Sequence, residues 1–319
     1  MTDPNAAAGP TGRDTIDPET DSVQPFQLDR SSLRGRMVRA GATLDEILGR
    51  HNYPEPVARL LAETITLAVT LAAALKYEGI FTLQTKGDGP VRYTVADITS
   101  AGDVRGYAAF DAEALEEVLA QPGAQADLAT LLGKGYVAFT VDQGEHTERY
   151  QGIVELMGET LDDAVRHYFR QSEQLATGIK LSVGKTAEGR WAAGAIMLQT
   201  LPEEDAGRVI VKASDQEDDW RRTMMLLGTC TDAELTDASL PINTLLFRLF
   251  HEEQVRVYTR HAIRPGCRCS RERVETVLRS ISRDELQELK VDGQVEVTCE
   301  FCSSTYRFDD TALDKVYRA

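Results

Sequence analysis

The chain is 319 residues long, 42% hydrophobic, with a formal net charge of −16. Its length exceeds one small core and predicts two or three domains. Its acidity argues against a nucleic-acid partner, because phosphate binding needs a cationic surface.

Residues 1–25 carry Pro, Gly, Ala, Asp and Thr with almost no large apolar side chains, the composition of a disordered acidic tail. They show neither the apolar run of a secretory signal nor the arginine-rich character of a transit peptide, which points to the cytoplasm. Ordered structure is expected from Phe26. Residues 34–40 read as a strand and Thr43 to Arg50 as a short helix. A long helix should start at Pro54, a residue suited to a first helical turn, and run to Tyr77. Its apolar residues lie nearly all round, as in a helix packed on several sides. The apolar stretch Thr64 to Leu75 is too short for a bilayer, which needs roughly 20 residues, so no membrane partner is expected.

After Gly79 the apolar period becomes two. Residues 80–84 and 91–95 flank Gly87-Asp88-Gly89-Pro90 and predict a hairpin. Further strands are expected at 104–110, 136–142, 148–156, 179–184 and 191–199. Thr160 and Asp163 mark a capped helix that buries Leu161, Ala164, Val165, Tyr168 and Phe169. Residues 26–200 are therefore expected to form an α+β domain with a mixed, largely antiparallel sheet and packed helices.

Residues 201–260 read as a helical linker. Over 201–240, ten acidic residues against four basic ones surround an apolar patch of Trp220, Met224, Met225, Leu226 and Leu227. Asn243 to Glu253 should be helical with an apolar stripe. The common reading of both stripes is a core-facing helix; the sharper one is a weakly held cover over another apolar surface, with adaptable methionines.

Residues 261–319 should form a small zinc-binding domain. Cys267-Arg268-Cys269 and Cys299-Glu300-Phe301-Cys302 enclose 29 residues, the spacing of a four-thiolate zinc site. Between them, helices are expected after Ser270 and at the Ser282/Glu285 capping box, then strands at 295–297 and 305–308. Residues 267–319 hold 9 Lys/Arg and 11 Asp/Glu, too acidic for a DNA-binding finger. His261 reads as a bystander and Cys230 as a small buried hydrophobe. Arg264, Arg268, Arg271 and Arg273 crowd the first pair, where cations would favour thiolates, or simply solvate a helix start. The site reads as a removable staple, with a static zinc module as its real competitor, while a thiol–disulfide oxidoreductase fits less well because its CxxC sits at a strand-to-helix turn. No phosphate loop or His-Glu-x-x-His signature suggests another enzyme.

The CxC and CxxC motifs, with Cys-Arg-Cys-Ser-Arg-Glu-Arg-Val at 267–274, resemble those of the redox-regulated 33 kDa chaperonin family. So do residues 245–253 (Leu-Leu-Phe-Arg-Leu-Phe-His-Glu-Glu), 149–154 (Arg-Tyr-Gln-Gly-Ile-Val) and 172–175 (Ser-Glu-Gln-Leu). The resemblance covers about residues 30–312. It implies an ATP-independent holdase, not an enzyme, with one Zn2+ per chain on Cys267, Cys269, Cys299 and Cys302 in the reduced, inactive form. It further implies that oxidation forms Cys267–Cys269 and Cys299–Cys302 disulfides, expels zinc and unfolds the terminal segment and linker. Unfolded client proteins would then bind, the chain would dimerise, and clients would pass to ATP-driven foldases. Two departures stand out: a longer acidic tail, and a linker acidic enough that its grip should depend on salt or pH.

Overall fold

A computed structural model describes residues 19–144, 149–200 and 213–318. Residues 145–148, beside the hairpin turn expected at 143–145, part of the linker (201–212) and most of the N-terminal tail lie outside those residues. The first sheet is built from β1 (Ser22–Leu28), β2 (Leu33–Ala40), β8 (Thr177–Lys185), β9 (Trp191–Thr200) and two short strands, β10 (Val255–Val257) and β11 (His261–Ala262), both paired to β1. The second runs β12 (Arg264–Pro265), β5 (Asp103–Phe110), β4 (Val91–Thr99), β3 (Ile80–Gly87), β6 (Gly135–Asp142), β7 (Tyr150–Glu155). All pairings are antiparallel except β12 against β5. The fold is α+β as expected, with two sheets where one was read.

The helix α2 (Glu55–Ala72) lies between the sheets, touching β2, β8 and β9 on one side and β3, β4 and β5 on the other. That position explains its apolar circumference: Leu60, Leu61, Ile65, Leu67 and Leu71 are all buried in one core with residues of both sheets. It ends five residues before the expected Tyr77. Arg36 of β2 donates to the Ala73 carbonyl at 2.8 Å, and residues 74 and 75 close tighter i→i−3 turns, which ends the helix. The helices α1 (Ala42–Gly49) and α5 (Leu161–Gln171) form as read, α5 with the Thr160/Asp163 capping box. Two short helices, α3 (Ala112–Leu119) and α4 (Leu128–Leu132), escaped the reading although Asp111 and Asp127 cap them.

The boundary of the N-terminal tail differs from the expectation. β1 begins at Ser22, four residues before Phe26, and the acidic residues just ahead of it are structural. Asp21 is 3% exposed; its carboxylate accepts from the backbone N–H groups of Gly41, Ala42 and Thr43 at 3.2, 3.1 and 2.9 Å. It thereby caps α1, whose own N-cap residue, Gly41, has no side chain to do so. Glu19 accepts from the Ile242 N–H at 2.9 Å and pairs with Arg260 at 2.5 Å. Asp21→Ala is expected to lower the stability of this core by about 2 kcal/mol, since it orphans buried donors. Thermal unfolding monitored by circular dichroism checks this; an unchanged midpoint would refute the capping role.

The linker region folds as α6 (Ala213–Gly228), α7 (Asp232–Thr236) and α8 (Ile242–Phe250). Together they cover the outer face of the first sheet. Alternation along the strands sends Phe26, Leu28, Leu33, Met37, Ile196 and Leu198 to that face, where Leu227, Leu235, Leu245, Leu246, Leu249 and Phe250 meet them. Cys230 is buried in the same cluster, and burial pushes its thiol up to about 11.

Three strand glycines make room for this cover. A Cβ at Gly35 would lie 2.0 Å from the Phe26 ring, at Gly178 2.3 Å from Met224 Sδ, and at Gly194 2.3 Å from the Leu235 carbonyl oxygen. Arg39, 2% exposed, donates from β2 to the carbonyls of Glu234, Leu235 and Leu240 at 3.1, 3.3 and 2.5 Å. Arg222 of α6 meets fully buried Glu253 at 2.7 Å and holds its carboxyl below the usual range. The cover's hold is thus mainly apolar with buried polar anchors, which salt screens little, despite the acidic composition.

Candidate metal centre

From β10 onward the chain is woven into both sheets before it reaches the first cysteine. The Ile263 N–H donates to the Asp21 carbonyl at 3.1 Å, Arg264 to Gly102 at 3.0 Å, and Gly266 to Val104 at 2.7 Å. Cys267 follows at once. Hydrogen-bonded strands therefore run across the boundary expected at residue 260.

The lobe beyond Gly266 contains α9 (Arg271–Arg279), α10 (Arg283–Glu288), the hairpin β13 (Val295–Thr298) and β14 (Thr305–Phe308), and α11 (Asp310–Arg318). Ser270 and the Ser282/Glu285 box cap α9 and α10 as expected. α11 was not read, although Leu313, Val316 and Tyr317 have helical spacing. The lobe has its own core of six buried residues: Leu278, Leu286, Val295, Phe308, Leu313 and Val316.

The four cysteines expected to bind metal converge. Cys267, Cys269, Cys299 and Cys302 place their sulfurs within 4.8 Å of one another, all half-buried. Cys267 Sγ lies 3.7 Å from Cys299 Sγ, and Cys269 Sγ 3.3 Å from Cys302 Sγ. Four sulfurs about 2.3 Å from a tetrahedral zinc would lie about 3.8 Å apart, so the donor set fits such an ion. Cys299 and Cys302 sit in the turn of the β13–β14 hairpin, and Cys267 and Cys269 just before α9. The cation would therefore join the start of the lobe to the turn of its hairpin.

The surroundings orient the sulfurs. The Tyr306 hydroxyl donates to Cys269 Sγ at 3.2 Å, and Ser304 Oγ lies 3.2 Å from Cys302 Sγ. Burial pushes the Cys269 and Cys299 thiols up. At Cys302 burial is outweighed by hydrogen bonds from Ser304 and the neighbouring cysteines, which bring the thiol down to about 7.

The nearby arginines have partners of their own. Arg264 pairs with Asp103 at 2.6 Å, Arg271 with Glu275 at 3.2 Å while lying over Phe308, and Arg273 donates to the Arg268 carbonyl at 2.8 Å. Arg268, between the first two cysteines, pairs with Asp97 on β4, which is 5% exposed and also held by Arg105 at 2.6 Å. Their role is docking and helix support more than thiolate activation. His261 is exposed, paired in β11 against Val23, and lies outside the sulfur cluster.

Among the described residues no helix is long and apolar enough to cross a membrane. A model of the family described as Hsp33 protein matches residues 21–309. The 33 kDa chaperonin of Caulobacter vibrioides is 42% identical over 296 residues, covering 91% of this chain and 95% of its own. That of Pseudomonas fluorescens is 38% identical over 94% of both chains, and that of Escherichia coli 36% identical over 92% and 93%. A crystal structure of the 33 kDa chaperonin (heat shock protein 33 homolog) from Thermotoga maritima superposes with a TM-score of 0.76, covering 93% of this chain and 98% of that one; at 22% identity it speaks to the fold alone. With a family match over most of its length, relatives named as chaperonins and a cysteine cluster suited to metal, the chain belongs to the Hsp33 family of chaperones.

Proposed function

We propose that this chaperone is an ATP-independent holdase whose client surface is closed by zinc and opened by oxidation. In the reduced, inactive form Cys267, Cys269, Cys299 and Cys302 hold one zinc ion. Oxidation joins Cys267 to Cys269 and Cys299 to Cys302, and the ion leaves. The observation that carries the reading is the position of the four sulfurs, which tie the start of the lobe to its hairpin turn, in a lobe with six buried core residues among the described ones. So small a core is inadequate without metal. Disulfides within each pair close tiny rings, restrict the unfolded chain little, and leave the spacer unbridged.

Loss of the lobe would free β12, β11 and β10 from the sheet edges and, through them, α8. Withdrawal of α6, α7 and α8 would uncover the apolar face of Phe26, Leu28, Met37, Ile196 and Leu198, suited to unfolded segments. The exposed surface would favour a dimer, and clients would pass to ATP-driven foldases. The CxxC lies in a hairpin turn rather than at a helix start, and this weakens the oxidoreductase alternative.

One observation weighs against the switch: the short sulfur contacts given above run between the pairs, and bonds formed there would staple the lobe; a static zinc module would instead keep its ion under oxidant. One experiment separates the readings. Hypochlorite applied to the reduced, zinc-loaded chain is expected to release about one zinc per chain, yield the two within-pair disulfides on mass mapping, and confer suppression of aggregation on a thermally unfolding client. Zinc retained under oxidant would mark a static module; that result, bridges from one pair to the other, or zinc release with no gain in suppression would each overturn the holdase switch.

A further inference from the structure

We propose that the part of the second sheet beneath the metal lobe is an acceptor for aromatic side chains of unfolded proteins, filled at rest by Phe301. This rests on the oxidative release of the lobe proposed above and names a second client surface, separate from the face covered by α6, α7 and α8.

Phe301 stands between Cys299 and Cys302, yet it takes no part in the core of its own lobe. Its ring instead lies on the other domain. The Arg105 guanidinium carbon is 3.8 Å from the ring centroid, and Tyr107 is 6.2 Å away at 56°. Both geometries are attractive for an aromatic ring: a cation over its face and a tilted aromatic neighbour. The platform continues beyond Phe301. Tyr107 meets Tyr93 at 6.0 Å and His51 at 5.6 Å, and His51 meets Tyr53 at 4.9 Å. It is preformed, because Arg105 is fixed by the buried carboxylate of Asp97. Once Arg268 withdraws with the lobe, the Asp97–Arg105 pair remains to hold it.

The occupant is therefore defined by what sits there now: an exposed aromatic side chain on an extended segment. Folded proteins bury such rings, whereas unfolding ones expose them. At rest Phe301 acts as a tethered competitor.

The test uses the full chain, oxidised and zinc-free, and a fluorescein-labelled unstructured peptide carrying a single Phe, with its Phe→Ala counterpart as reference. The Phe peptide is expected to bind about tenfold more tightly than the Ala peptide, the gain of one ring contact with a cation and an aromatic. The Tyr93→Phe/Tyr107→Phe chain should keep this preference and the Tyr93→Ser/Tyr107→Ser chain should lose it, with matching circular dichroism. In the unsubstituted chain a benzoylphenylalanine version of the peptide should crosslink to β4 and β5. Preference retained by the serine variant, or crosslinks confined to the first sheet, would overturn the site. A parallel aggregation assay separates the two readings. Suppression without any preference for Phe removes this surface alone; no suppression by the oxidised chain removes the redox switch, and this surface with it.

Discussion

Replacing Cys299 with serine is expected to unfold residues 267–318 in reducing solution while α2 and strands β1–β9 stay folded. The lobe's six buried apolar residues face a conformational entropy cost of about 1–2 kcal/mol for each residue ordered. In small sites structural zinc supplies on the order of 10–16 kcal/mol. Removing one of four ligands forfeits a large part of that, and among the described residues no other covalent bond or ion pair joins the first cysteine pair to the hairpin turn. The sheets have a separate and much larger interior around α2, so they do not depend on the metal. Hydrogen exchange distinguishes the regions. Amides of α9, α10 and β13 should exchange at near-unprotected rates in the variant, while those of α2 and β9 remain protected. Native protection throughout 271–318 in metal-free Cys299→Ser protein would show that the lobe stands on its packing alone, and the proposed trigger would fail.

Gly194→Val should open the α6–α8 cover without any oxidant and with zinc still bound. A Cβ at residue 194 would lie 2.3 Å from the Leu235 carbonyl oxygen, a backbone atom that cannot rotate away. Valine suits the interior of β9, so the strand keeps its place and α7 has to move. Overpacking of this kind costs about 1–3 kcal/mol. The displaced carbonyls of Glu234, Leu235 and Leu240 also carry the hydrogen bonds of buried Arg39, and a buried guanidinium deprived of acceptors adds a further penalty. The reduced variant is expected to bind an apolar dye several-fold more strongly than the parent and to suppress aggregation unprompted. If it does neither while remaining folded, the first sheet's outer face is not the surface that the linker guards.

Much of this molecule is legible residue by residue. Period-two runs locate β3 and β4, and the Thr160/Asp163 and Ser282/Glu285 pairs locate helix starts, because strand alternation and capping involve neighbours a few residues apart. The spacing of four cysteines likewise announces a metal site, since one ion requires two convergent pairs. Asp111, Asp127 and the 313–317 spacing carried the same kind of local signal for α3, α4 and α11.

What only the tertiary structure decided depends on partners far apart in the chain. Nothing near Asp21 or Glu19 marks them as helix caps, because the N–H groups they satisfy belong to residues 41–43 and 242. β10, β11 and β12 are two or three residues long and exist as strands because β1 and β5 offer open edges. Arg268 and Asp97 stand 171 positions apart, and Phe301 turns away from its own lobe only because the second sheet holds Arg105 and Tyr107 in its path. Local propensity and spacing determined the elements and the candidate metal ligands; burial and distant pairing decided which surfaces those elements close.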